Sequence, residues 1–306
     1  MNLIKNIPTP IAGLALGSVA LGNLLQIYSS VLQIIFSIFS LVIIVLLTLK
    51  FISSPNKLKI ELKNPIITTV LATYPMSIML LSVFLKKHFN YWGSLLLWLI
   101  GMLLDIFVVC FVTVNFILKK HHIKYIYPTW FISFVGPAVI TVTAVSYNLE
   151  ILGKIFFFFS FINYIVLIPL VLYRVYIYGR LTPGDLPTLT VFAAPGGLLL
   201  ASYMIGITDK SILIINILLI LACIFYIFVL IQLPFLLNRR FYPSFSAFTF
   251  PLVICAIAFQ KVSIFYQLDT FPILKISIYL NESLAVIIVI YIYFCYLKDI
   301  IIKARA

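Results

Sequence analysis

Two carboxylates stand inside long apolar stretches: Asp105, within Leu103-Leu104-Asp105-Ile106, and Glu282, about two turns into the last such stretch. An ionisable group at that depth is functional by default, since no water surrounds it to carry its charge. Either acid could be the protonatable site of a proton-coupled carrier. The competing readings are a protonated or hydrogen-bonded structural acid for Asp105 and an interfacial acid near the outer surface for Glu282.

Other reactive side chains are poorly placed for catalysis. His88, His121 and His122 fall at the ends of apolar stretches. A histidine pair could hold a metal or titrate near neutral pH, but a loop pair alone does not make a site. Cys110, Cys223, Cys255 and Cys295 lie within apolar stretches at neither metal-ligand nor disulfide-framework spacing. No intramembrane Ser/His pair or phosphate-cradling glycine loop is present, so neither enzyme activity, a metal nor a cofactor is expected.

Prolines supply the one long-range pattern. Pro75, Pro137, Pro195 and Pro251 recur at spacings of 62, 58 and 56 residues, three of them within Phe-x-x-Pro. Each falls mid-way along an apolar stretch, where a proline removes a backbone donor and kinks a helix. Counting back about 60 residues from Pro75 lands on Ala15, flanked by Gly13 and Gly17. The intervening stretches carry fewer breaks, Pro169 and Pro234 being the exceptions. Five hairpins, each pairing a kinked helix with a plainer one, predict a ring of kinked helices inside a ring of straighter ones.

These elements must be membrane helices. Hydrophobic residues make up 64% of the 306 and charged residues only 9%, against roughly 25% charged in a soluble domain. Ten apolar segments are expected, at 8–25, 29–51, 65–85, 91–118, 127–147, 151–177, 186–206, 210–236, 243–264 and 276–297, each long enough to cross the hydrocarbon as a helix. No linker separates domains. The whole chain, 1–306, is expected to form one transmembrane domain of five hairpins, roughly 8–51, 65–118, 127–177, 186–236 and 243–297. No cleavage site follows the first span, which is therefore taken as retained.

Ten spans place both termini on one side. Of the 21 Lys and Arg, fifteen fall on that side, and Lys86, Lys87, Lys154, Lys210, Lys261 and Lys275 fall on the other. The positive-inside rule then makes both termini cytoplasmic. A net charge of +13 spread over span ends fits topology better than a nucleic-acid partner, and it biases the molecule's field toward anions.

At Pro128-Thr129-Trp130-Phe131 through Pro137-Ala138-Val139, at Ala193-Ala194-Pro195-Gly196 and at Ala247-Phe248-Thr249-Phe250-Pro251 the sequence resembles the tellurite-resistance/dicarboxylate transporter family. That family includes TehA-like bacterial proteins, malate carriers and the plant slow-type anion channels. The resemblance extends over nearly the whole chain in span number and order. It implies an all-α membrane fold of ten transmembrane helices, arranged as five hairpins in pseudo-fivefold symmetry around a central pore lined by the odd helices. It also implies a homotrimer in a bacterial-type inner membrane, a phenylalanine plug at Phe250, and outer, even-numbered helices as the location of Asp105 and Glu282. Ala15 departs from the family, whose members commonly have proline there, so the first helix is expected to bend less.

Superimposing the repeats puts Leu14, Tyr74, Gly136, Ala194 and Phe250 in one pore-lining layer just before the kinks. One turn on lie Ser18, Ile78, Ile140, Leu198 and Ile254. No basic ring would bind an anion tightly there. Such a pore fits an anion channel that passes small anions and is gated by Phe250. The alternative is a proton-coupled transporter of C4-dicarboxylates or tellurite-like oxyanions.

Overall fold

The computed structural model describes residues 2–120, 122–179 and 181–305; His121 and Arg180 lie outside the described residues. All regular structure among them is helical. Among the described residues nine helices are long and apolar enough to cross a membrane: α2 (Ser30–Ser53), α3 (Pro65–His88), α4 (Tyr91–Leu118), α5 (Trp130–Tyr147), α6 (Glu150–Tyr178), α7 (Leu186–Gly206), α8 (Ile212–Leu237), α9 (Pro243–Tyr266) and α10 (Pro272–Ile302). A shorter apolar helix, α1 (Thr9–Leu25), precedes them. Helices are the outcome because in hydrocarbon each backbone N–H and C=O must find its partner within the segment.

Local chemistry sets where the helices begin and end. Ser29 caps α2 by accepting from the Val31 amide, Asn90 caps α4 through Trp92, and Asn64 accepts from Ile66 and Ile67 with Pro65 in the first turn of α3. Each cap satisfies donors that the first turn leaves open. Asn148 and Gln267, at φ 57° and 54°, end α5 and α9 in the left-handed conformation and reverse the chain into the next helix.

All five odd helices are interrupted. In α3 the break lies between Val70 and Thr73, and in α5 at Gly136–Pro137. In α7 and α9 a 3₁₀ segment, Leu186–Phe192 or Pro243–Phe248, turns into α-helix two residues before the kink proline. The first helix breaks likewise, from 3₁₀ at Thr9–Ile11 into α-helix at Ala12, although Ala15 is not proline. Pro10 sits in the first turn of its 3₁₀ segment, as Pro187 and Pro243 do in α7 and α9.

Burial separates two shells. Between 72% and 89% of the apolar window is buried in α3, α5, α7 and α9, against 28% to 39% in α2, α4, α6, α8 and α10. The odd helices pack in a cycle, α1 on α3, α3 on α5, α5 on α7, α7 on α9 and α9 back on α1. Each even helix covers the odd helix before it. Outward from the even helices stand large exposed apolar side chains such as Ile38, Phe107, Phe158, Ile231 and Phe294, as a surface solvated by lipid requires.

Candidate functional site

Inside the cycle of odd helices lie two cavities. The inner one, at the N-terminal halves of these helices, is about 50 Å³ and is walled by residues that include Pro10, Gly13, Thr73, Met76, Phe131, Gly136, Thr188, Ala194, Ser246 and Phe250. The outer one, at their C-terminal ends, is about 690 Å³. Its mouth carries Lys86, Lys87 and Lys261 with Asn23, Gln26, Gln33 and Gln260, and its depth is apolar, with Leu80, Val139, Ala201, Ile254 and Ile257. Two residues line both cavities: Leu198 and Phe250.

Of the residues expected in one layer, Gly136, Ala194 and Phe250 line the inner cavity and Leu14 and Tyr74 do not. Leu14 is fully buried between helices, while Tyr74 turns toward α2, its hydroxyl 2.6 Å from Thr48 Oγ1 and its ring 5.4 Å from that of Phe51. Their neighbours Gly13, Leu16, Thr73 and Met76 line the cavity instead. The reason is angular, because one residue of offset between repeats rotates a side chain by about 100° around the helix. Of the kink prolines, Pro195 and Pro251 line the inner cavity and Pro75 and Pro137 do not.

The inner cavity holds no charged side chain. Its hydroxyls are directed to backbone carbonyls: Thr73 to Val70, Thr188 to Asp185 and Ser244 to Gly184, at 2.7, 2.6 and 2.5 Å, and Ser246 more loosely to Pro243 at 3.4 Å. At the kink level, hydroxyls instead bridge neighbouring odd helices. Thr190 donates to Ala247 O at 2.7 Å, the carbonyl that Pro251 cannot reach four residues on, and the Thr249 hydroxyl is shared between Ser246 O at 2.7 Å and Gly13 O at 3.0 Å. Thr69 donates to Thr129 at 2.7 Å. These threonines went unnoticed in the sequence, yet Thr9, Thr69, Thr129, Thr190 and Thr249 recur every 59 to 61 residues and all are buried.

The outer cavity is electropositive. Among the described residues none of its three lysines forms an ion pair. Lys86 donates to Ser146 O and lies over the rings of Tyr91 and Tyr147, at 5.0 and 5.3 Å, and Lys87 reaches Gln33 Oε1 at 3.5 Å. Gln33 in turn donates to Asn23 and Gln26. These mouth residues come from the ends of different helices, so the sequence offered their charge but not their convergence.

Asp105 and Glu282 lie on α4 and α10. Asp105 is fully buried on the face of α4 that packs against α3, lines neither cavity, and among the described residues has no hydrogen-bond partner for either carboxylate oxygen. Glu282 is clamped, accepting from Gln260 Nε2 and from Tyr28 Oη, each at 2.6 Å. Burial and then the Glu282 carboxylate raise the Tyr28 phenol above its ordinary range, so it keeps its proton and remains the donor. Since Gln260 lines the outer cavity, Glu282 stands one side chain behind its wall.

The inner mouth is held by a buried ion pair. Lys50 Nζ lies 2.8 Å from Glu61 Oε2 and donates to Thr9 Oγ1 at 2.8 Å, and Thr9 donates to Glu61 at 2.5 Å. This ties α2, the short helix Pro55–Glu61 and the start of α1 together beside Pro10, in the cavity wall.

Residues 7–296 match the family model described as SLAC1, voltage-dependent anion channel. A search of curated proteins found no match to the chain.

Proposed function

The chain belongs to the voltage-dependent anion channel family, the family its sequence resembles, and on that premise we propose that it conducts small anions through the middle of the odd-helix cycle, with Phe250 as the gate. In this reading ten helices cross the membrane as five pseudo-symmetric hairpins, both termini are cytoplasmic, and the route runs from the outer to the inner cavity. The carrying observation is that Phe250 and Leu198 line both cavities, so an apolar partition one ring thick stands between them. Assembly as a homotrimer in a bacterial-type inner membrane, each protomer with its own route, rests on the family resemblance alone.

The division of labour follows from the chemistry of the two chambers. Lysines at the outer mouth, with no ion-pair partner among the described residues, concentrate anions by long-range attraction, and their distance from the constriction keeps that attraction from becoming a trap. Conduction needs binding strong enough to enter and weak enough to leave. With no charge at the partition and its hydroxyl protons already donated, the inner chamber offers weak contacts. Selectivity is then set by overall positive potential and by the size of the opening that Phe250 leaves.

A second reading, a proton-coupled carrier of C4-dicarboxylates or tellurite-like oxyanions, is favoured by one observation. Glu282 lies directly behind Gln260 in the outer wall, accepting from its amide, so an acid stands within one side chain of the cavity. Ion-substitution recordings from purified protein in a planar bilayer discriminate the two. A channel gives currents whose reversal potential tracks the chloride or nitrate gradient at any pH difference. Electrically silent uptake that requires a proton gradient would replace the channel reading with the carrier.

A further inference from the structure

Away from the central cavities, a third cavity of about 310 Å³ opens between the short helix Pro55–Glu61, the loop that follows it and the end of α4. Lys59, Lys63 and Lys120 line it, over a floor that includes Phe111 and Phe116. We propose that this pocket binds the headgroup of an anionic phospholipid, with the acyl chains lying along α4.

Charge is the first argument. Among the described residues none of the three lysines forms an ion pair, and the acid nearest in sequence, Glu61, is turned inward to Lys50. Lys120 is docked at the pocket, its ammonium 4.6 Å above the Phe116 ring and 4.7 Å from that of Tyr125. Three cations gathered over an apolar floor, with no protein anion opposite, have the form of a phosphodiester site.

Position selects a lipid over a soluble anion. The pocket lies at the end of a membrane-length helix whose outward face is apolar, with Phe107 and Leu118 61% and 57% exposed. A headgroup seated among the lysines places its hydrocarbon against that face without leaving the bilayer. The lysines belong to the basic end of the bundle, where anionic lipid of the cytoplasmic leaflet is to be expected.

The test uses the full chain in neutral detergent, titrated with dihexanoyl phosphatidylglycerol, dihexanoyl phosphatidylcholine or inorganic phosphate while thermal unfolding is followed. Phosphatidylglycerol should raise the unfolding midpoint saturably and the other two should not. Lys63→Gln and Lys120→Gln should each weaken the apparent affinity about fivefold, whereas Lys275→Gln, at the opposite end of the bundle, should leave it at the parent value. Parent-like affinity in both pocket variants would overturn the site. An equal rise with phosphatidylcholine, or a phosphate response lost in the same variants, would overturn the assignment to an anionic lipid. Single substitutions at exposed lysines keep the test clear of folding failure.

Discussion

The methyl carbon of Met76 occupies the place where a side chain on Gly136 would begin, so the two residues share one volume in the wall of the inner cavity. Ile132 O crowds the same point. Gly136→Ala must therefore displace a flexible thioether and strain a carbonyl that cannot swing away. The expected cost is about 1–3 kcal/mol, read from the thermal midpoint, together with reduced conductance. Adding Met76→Ala should recover less than half of the stability loss, because Ile132 O remains. Full recovery would show that the methionine alone excludes the methyl.

The Lys50–Glu61 pair should be asymmetric. Lys50 is 1% exposed at the side chain and Glu61 18%, so Glu61→Gln strands a buried ammonium while Lys50→Gln leaves a carboxylate that reaches water. Breaking a buried pair from the stranding side costs about 3–5 kcal/mol, and the reverse substitution should cost clearly less. Thermal melts of the two single variants and the double variant give the comparison. Equal losses would mean that Thr9, not solvent access, decides the balance.

Much of this architecture is legible in the sequence because hydrocarbon permits so few backbone solutions. The apolar segments read from the punctuation fall on nine membrane-length helices and one shorter apolar helix among the described residues, with bounds that agree to within a few residues except in α10, which runs Pro272–Ile302 rather than 276–297. The prolines mark the breaks in α3, α5, α7 and α9, whereas α1 changes from 3₁₀ to α-helix at Ile11–Ala12 with alanine, not proline, at position 15. Side-chain direction was harder. Tyr74 and Leu14 sit beside the residues that line the cavity, and only packing fixes which neighbour turns inward. The lysine mouth could not be read at all, since Lys86 and Lys261 are 175 positions apart and meet only because two helices end at one level.

Those lysines should act through their field. Neutralising Lys86, Lys87 and Lys261 to Gln is expected to lower inward anion current about two- to threefold at low salt, with the difference fading near 1 M, where screening shortens to about 3 Å. Conductance measured against anion concentration tests this. A deficit that persists at saturating salt would assign the lysines to folding or to the constriction.

Asp105 and Glu282 separate on geometry. Asp105 lines neither cavity and no hydrogen bond offsets its burial, so Asp105→Asn should leave currents and reversal potentials unchanged and the thermal midpoint equal or higher. Glu282→Gln keeps a partner for Tyr28 but weakens the hold on Gln260. If protons are coupled to transport, the loss of proton-driven flux should appear at Glu282 and not at Asp105. Loss at Asp105 would reverse the assignment.

Phe250→Ala should raise anion conductance severalfold while nearly preserving selectivity. A phenylalanine deleted from an ordinary packed core costs about 3–5 kcal/mol, because its neighbours cannot close the void. Phe250 is 8% exposed and borders a cavity on each side, so part of its surface has no packing to lose. Its removal should cost less than the core value and merge the two chambers. Leu198→Ala removes fewer atoms from the same partition and should open it less, and the double variant should exceed either alone. Tyr74→Ala provides the contrast, since its ring and hydroxyl are engaged with Phe51 and Thr48 away from the cavities, so it should lower stability without raising current. Selectivity should survive in Phe250→Ala because the charges that favour anions stand at the outer mouth, untouched by the substitution. Bilayer recordings of well-folded Phe250→Ala with currents no larger than the parent would sink the gate, whichever cavity the ring borders.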